Sequence, residues 1–297
     1  MNKETRGKYV EAGKTVQKAR KIARETAQPG TNLKTIAETI EEEIKDQGLK
    51  PAFPVNTSLN EEAAHYTPGI NEERTLNKND ILKIDIGAQK DGYIADTALT
   101  VNPSGKHQEL IDTVEEVLQK ALKFIEPGLT VGEFGEYVQK QIPGEYNPVT
   151  NLTGHYIDRY TQHAGVSIPN VSNKSRHKFK KGDAVAIEPF ITTGSGKVKN
   201  GKPGNIYKLE TKRNVRGRTE RQLMKKIENF NNLPFTTRWI KGYGGRQKMA
   251  MNKLVQKGVV KSYEVLKDSQ NGLVAQAEHT VLVGAGEDDQ NIITTRN

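Results

Sequence analysis

Asp85, Asp96, His155, His163, Glu188 and Glu278 each stand in or beside a strand-like apolar run, whereas most acidic residues of the chain fall in charged loops. A carboxylate buried beside another is tolerated only when a proton or a cation separates the two. Four carboxylates and one imidazole are about the set that two divalent ions share, with carboxylates bridging them.

The clearest stretch is DILKIDIGAQKDGYIADTALTV, residues 80 to 101. Asp85 interrupts Ile81, Leu82, Ile84 and Ile86, and Asp96 interrupts Tyr93, Ile94, Ala98, Leu99 and Val101. Gly87 and the Asp91-Gly92 pair offer the positive φ that a reversal between antiparallel strands needs, so the two carboxylates are expected to face each other across a hairpin. The competing reading, two exposed strand Asp residues, runs against the low β propensity of Asp. His155 follows Gly154 and precedes His163 by eight residues. Glu188 ends the apolar run Ala184 to Ile187 ahead of Pro189, which suits a strand margin, and Glu278 lies in GLVAQAEHTVLV. His279, one residue on, should point to the opposite sheet face. His107 and His177 have no partner visible in the sequence.

Helices and strands that position these residues recur along the chain. Lys78-x-Asp80-x-x-x-Ile84-Asp85 returns as Lys181-x-Asp183-x-x-x-Ile187-Glu188, offset by 103 residues. Helical patterns ending at Pro29-Gly30-Thr31 and Pro127-Gly128 are offset by 98, and each is followed by a second helical pattern. The chain reads as two similar halves, each of paired helices followed by strands, and each delivering a carboxylate from the same strand position.

KIDIGAQKDGYIADTALTV, SLNEEAAHYTP, the GHYIDRY to HAG segment, AIEPF with TGSGKV, and AQAEHTVLV together resemble, in order and over nearly the whole chain, the motifs of type II methionine aminopeptidases in their short archaeal form. The resemblance implies a two-fold pseudo-symmetric α/β "pita-bread" fold around a dinuclear site, and removal of initiator methionine from nascent polypeptides when the second residue is small. Asp85 would chelate one of two divalent ions (Co, Mn, Fe or Zn), Asp96 and Glu278 would bridge both, and His155 with Glu188 would complete the other. Glu188 would also act as general base, His65 would contact substrate near the scissile bond, and His163 would stabilise the developing tetrahedral centre. Phe53 stands where the family has a pocket phenylalanine, Gln162 where relatives are often apolar, and Ile206 where some type II members place a pocket histidine, with Tyr263 a further candidate wall. Ala277 and Lys90 depart from the family pattern at positions that are not ligands. Two other readings fit the same fold: an Xaa-Pro peptidase, whose relatives usually carry an extra N-terminal domain, and a non-enzymatic RNA- or ribosome-binding protein, against which the intact ligand set argues.

Length allows one sizeable core plus an insertion, and the absence of cysteine excludes disulfides and thiolate ligands. The charged N-terminus lacks a secretory pattern and no run approaches a membrane span, so cytoplasmic residence is expected, and the resemblance implies a monomer. Residues 201–261 hold sixteen Lys or Arg against three Glu, leaving −4 of the overall +9 to the rest of the chain. Residues 201–263 are expected to form a winged-helix-like insert between catalytic parts 1–200 and 264–297, with Leu223, Ile227, Phe230, Met249, Leu254 and Val255 as its core. Its basic face, including Lys225, Lys226, Arg238 and Lys253, is a candidate for ribosome or rRNA contact.

Overall fold

Each Pro-Gly step ends one helix and admits another. In this computed structural model, which describes residues 1–296, α1 (Lys3–Thr26) stops ahead of Gly30, at φ +87°, and α2 (Leu33–Asp46) starts where the Asn32 side chain accepts from the Lys34 N–H. In the second half α3 (Gln108–Phe124) stops ahead of Gly128, at φ +94°, and α4 (Val131–Gln141) starts from a Thr130–Glu133 capping box. Such caps satisfy first-turn N–H groups and contribute about 0.5–2 kcal/mol each.

The echo in sequence is an echo in structure. Asn32 bridges Thr75 and Thr130 bridges Lys178, pairs related by the same 98- and 103-residue offsets. In both halves an Asp closes the turn that feeds the ligand-bearing strand: the Asn77 N–H donates to Asp80 at 2.9 Å, and the Lys180 N–H to Asp183 at 2.7 Å.

Among the described residues the main sheet has nine strands. Along its length run Lys50–Pro51, Leu82–Lys90, Tyr93–Val101, Glu278–Leu282, Ala184–Ile187, Thr153–Asp158 and Thr161–Pro169, each antiparallel to its neighbour. Asn56–Leu59 also pairs with Leu82–Lys90. Val16, Ile36 and Ile40 of α1 and α2 share one core with Ile84, Ile86 and Leu99, while Leu118, Phe134 and Val138 of α3 and α4 share a second with Val185, Ile187 and Val281. The helices thus bury one face of each half of the sheet and hold it rigid from behind.

A second sheet places Val198–Leu209 against Val260–Asp268, with Phe235–Thr236 and Glu62–Ala64 at its two edges. Between its long strands lie α5 (Arg218–Ile227) and α6 (Gly245–Gln256), separated by left-handed Asn231, Asn232 and Gly242. Leu223, Met224, Ile227, Met251 and Leu254 form the core of this unit, with Phe230 and Val255 partly buried against it. Met249, expected in that core, is 64% exposed; the buried stripe of α6 runs through Ala250, Met251 and Leu254, and Met249 projects from the opposite side. No helix is long and apolar enough to cross a membrane among the described residues.

Candidate active site

Five neighbouring strands deliver the five suspected ligands to one place: Asp85 from Leu82–Lys90, Asp96 from Tyr93–Val101, Glu278 from Glu278–Leu282, Glu188 just past Ala184–Ile187, and His155 from Thr153–Asp158. All eleven residues singled out in the sequence (Phe53, His65, Asp85, Asp96, His155, Gln162, His163, Glu188, Ile206, Tyr263 and Glu278) line a single cavity of ≈ 290 Å³.

The hairpin geometry differs in one respect from expectation. Lys90 pairs with Tyr93, so Asp91 (φ +51°) and Gly92 (φ +90°) form the whole two-residue turn. Gly87 takes no part in it. It lies within the strand opposite Asp96, and Asp85 lies opposite Ala98. The two carboxylates therefore meet diagonally rather than directly, within reach for same-face neighbours two residues out of register.

Ligand atoms of Asp96, His155 and Glu278 lie within 4.8 Å of one another, and all three residues are buried. Glu188 joins them, its Oε1 3.5 Å from His155 Nε2, which is 3.6 Å from Asp96 Oδ2. The Tyr156 carbonyl can only accept, so the 3.3 Å contact to His155 Nδ1 places the imidazole proton there. Burial lowers the His155 pKa to about 4, so the ring is neutral and its Nε2 lone pair faces two carboxylate oxygens. Lone pairs so opposed repel unless a proton or a cation lies between them.

The carboxylates tell the same story. Burial first, and then their neighbours, hold Asp85, Glu188 and Glu278 well above the usual range. Burial raises Asp96 to about 7, although hydrogen bonds from Gln162 and Asp85 pull it down. Asp85 Oδ1, Asp96 Oδ1 and Glu278 Oε1 are buried without any hydrogen-bond partner. Orphaned buried acceptors are costly, by about 1–3 kcal/mol or more for charged groups, and a hard divalent cation is the partner that this oxygen-rich, single-imidazole set fits.

Around the cluster stand the remaining residues. The His163 ring lies 4.4 Å, centroid to centroid, from that of His155 and is exposed at the rim. His65 packs its ring edge-on to Tyr263 at 5.2 Å and holds a left-handed backbone, φ +66°, a conformation that costs a non-glycine residue of order 1–3 kcal/mol and persists only where its surroundings enforce it. The loop setting alone suggests a solvated histidine; instead His65 is partly buried in the cavity wall, its pKa lowered to about 4 by burial. Ile206 and Tyr263 are cross-strand partners. Gln162 Nε2 donates to Asp96 Oδ2 at 3.2 Å. His279 stays out of the cavity, its Nδ1 2.8 Å from Thr295 Oγ1.

Asn56 and Gln276 also line the cavity and escape the sequence reading. Gln276 Nε2 lies 3.4 Å from Glu188 Oε2, and its place two residues before Glu278 is a signal that strand alternation carries. Asn56 pairs in register with Asp85, a relationship no local pattern reveals.

Residues 7–285 match the model of metallopeptidase family M24. The methionine aminopeptidase of Pyrococcus abyssi is 44% identical over 97% of this chain and 98% of its own length. Among solved structures, a thermophilic Arx1 superposes with a TM-score of 0.84 at 18% identity, covering 95% of this chain and 89% of that one. The methionine aminopeptidase of Thermotoga maritima gives 0.72 at 22% identity, covering 100% and 98%; at such identities the likeness speaks for the shared pita-bread fold. A family model over most of the chain, a relative aligned end to end and a carboxylate cluster built for a cation agree that the chain belongs to metallopeptidase family M24, among its methionine aminopeptidases.

Proposed function

We propose that the enzyme removes the initiator methionine of nascent chains with small second residues, at a site holding two divalent cations. Asp85 would hold one, His155 and Glu188 the other, and Asp96 and Glu278 both. The observation that carries this reading is the buried Asp96–His155–Glu278 cluster with its orphaned carboxylate oxygens. Divalent ions bound there supply a polarised scissile carbonyl and a water acidic enough to attack near neutral pH. The same oxygen-rich set accommodates Mn, Fe, Co or Zn.

Each residue then has a task set by its place. Glu188, at the strand margin, takes the proton of the attacking water and returns it to the leaving nitrogen, as a general base does. His163, at the rim beside His155, donates to the developing oxyanion. His65 contacts the peptide next to the scissile bond. Gln162 steadies Asp96 through its hydrogen bond. Phe53, Ile206 and Tyr263 wall the methionine side chain.

We read the protein as a type II member, a cytoplasmic monomer whose residues 201–263 form an insert subdomain beside catalytic parts 1–200 and 264–297. The insert rides on the strands Val198–Leu209 and Val260–Asp268, and its exposed Lys225, Lys226, Lys248 and Lys253 offer a basic face to ribosomal RNA. Arg238 does not belong to that face: its side chain is only 2% exposed and is paired with Glu41. Co-sedimentation with ribosomes that is unchanged when those four lysines become glutamate would remove the ribosome from this reading.

The activity is tested by stripping metal, restoring Mn, Co, Fe or Zn, and following Met-Ala-Ser, Met-Lys-Ser and Ala-Pro-Ser by mass spectrometry. Metal-restored loss of methionine from the first alone is expected. Cleavage only of Ala-Pro-Ser would make the enzyme an Xaa-Pro peptidase, and no cleavage with any metal would contradict the enzymatic reading.

A further inference from the structure

Arg238, from the insert, is buried against the catalytic part of the chain and uses nearly all its donors there. Its Nη1 and Nη2 grip Glu41 of α2 at 2.8 and 2.7 Å, its Nε donates to the Pro68 carbonyl at 2.9 Å, and Nη2 reaches Thr67 Oγ1 at 3.2 Å. The neighbouring Trp239 indole donates to the same Glu41 at 2.8 Å. Glu41 in turn accepts the Val55 N–H at 3.2 Å, and Thr67 Oγ1 donates to the Val55 carbonyl at 2.7 Å.

Both anchored segments end in the cavity. Val55 lies two residues after Phe53, and Thr67 two residues after the strained His65. A second hold comes from the other side: the Thr67 N–H donates to the Gly204 carbonyl at 3.1 Å, and a Cβ on Gly204 would stand 1.8 Å from the His65 carbonyl oxygen. Arg238 itself is not among the residues that line the cavity.

We propose that Arg238 is a positioning residue for His65. With Glu41 it forms a clamp by which the insert fixes the His65–Pro68 segment against the Phe53–Val55 segment. The left-handed His65 backbone needs such over-determination, and a planar guanidinium with five donors is the side chain able to hold a carboxylate, a carbonyl and a hydroxyl at once. The insert thereby sets the geometry of the substrate-contacting histidine, a task separate from any surface it offers to a partner.

The proposal rests on His65 contacting substrate, and a double-mutant cycle separates the two ideas. Turnover of Met-Ala-Ser is measured for metal-loaded wild type, Glu41→Gln/Arg238→Gln, His65→Ala and the triple variant, with bound metal assayed for each. The paired variant removes both buried charges together, so that neither is left uncompensated. It is expected to lose about tenfold or more in kcat at unchanged metal content, as misplacement of a substrate-positioning group does, and to cause no further loss in the His65→Ala background. Should the paired variant not fold, Arg238→Lys keeps the charge opposite Glu41 but cannot reach Pro68 and Thr67 as well, and the same dependence on His65 is expected. Equal fold-losses with and without His65, or unchanged kcat in the paired variant, would overturn the clamp while leaving His65 its role. Full turnover in His65→Ala with Arg238 intact would overturn the role of His65 and the clamp together.

Discussion

Phe53 packs on the bare backbone of Gly87: a Cβ at Gly87 would stand 2.2 Å from Phe53 Cε1. Gly87 has ordinary strand geometry opposite Asp96, so its lack of a side chain answers to the ring and not to the backbone. Gly87→Ala must displace the buried Phe53 ring, and the cavity that Phe53 lines is where it can go. The variant is expected to raise KM for Met-Ala-Ser about tenfold, the order of effect of a methyl-sized change in an apolar pocket, with bound metal unchanged. An unaltered KM would take Phe53 out of the methionine wall.

His163 and Glu278 separate chemistry from ligation. His163→Ala is expected to keep its metal and lose about 10²–10³ in kcat, the range for one oxyanion donor. Glu278→Gln is expected to lose metal, because it puts an amide into the cluster where Glu278 Oε1, like Asp85 Oδ1 and Asp96 Oδ1, is buried without a hydrogen-bond partner. Elemental analysis beside single-turnover rates checks both, and wild-type turnover in His163→Ala would remove it from the mechanism.

Metal affinity is expected to depend on pH with a definite sign. Without metal, Asp96 titrates at about 7, and Asp85, Glu188 and Glu278 are likewise raised by burial and mutual repulsion. A cation binds their deprotonated forms, so binding releases protons and weakens as pH falls. Calorimetric titration of the stripped protein in buffers of different ionisation enthalpy reads that release. An enthalpy independent of buffer would contradict it.

Lys83 gives the fold its own pH signature. It is 1% exposed, its Nζ donates to the Asn60 carbonyl at 2.7 Å, and burial lowers its pKa from 10.5 to about 7 against the pull of Glu62 and Glu61. Below about 7 the folded and unfolded chains both hold the proton. Between about 7 and 10.5 the unfolded chain keeps a proton that the folded chain has lost, so stability rises with pH by up to about 1.4 kcal/mol per unit. Urea unfolding at pH 6 to 9 should show wild type gaining on Lys83→Met as pH rises; a constant difference would mean that Lys83 stays charged.

The site was readable in sequence because acids in apolar strands need a reason, and Asp85, Asp96, Glu188 and Glu278 share one. The internal echo was readable because both halves use the same Asp-closed turn. The register of the hairpin was readable in principle too: a two-residue Asp91-Gly92 turn fixes Gly87 opposite Asp96, and counting Gly87 as a turn residue hides this. Arg238 was not readable. It sits in a basic stretch, and its partner Glu41 lies 197 residues away in the chain, so only the folded structure distinguishes it from the solvated lysines around it. Met249 misleads for a smaller reason, since a one-residue shift on α6 exchanges it for Ala250 and Met251.

The central claim is a two-cation centre in the carboxylate cluster, and titrating Mn into stripped protein while measuring bound ions and Met-Ala-Ser turnover tests it most directly. Two ions bound per chain, turnover that rises with their binding, and loss of both in Asp96→Asn are predicted. Full turnover under exhaustive chelation, or in Asp96→Asn, would contradict it.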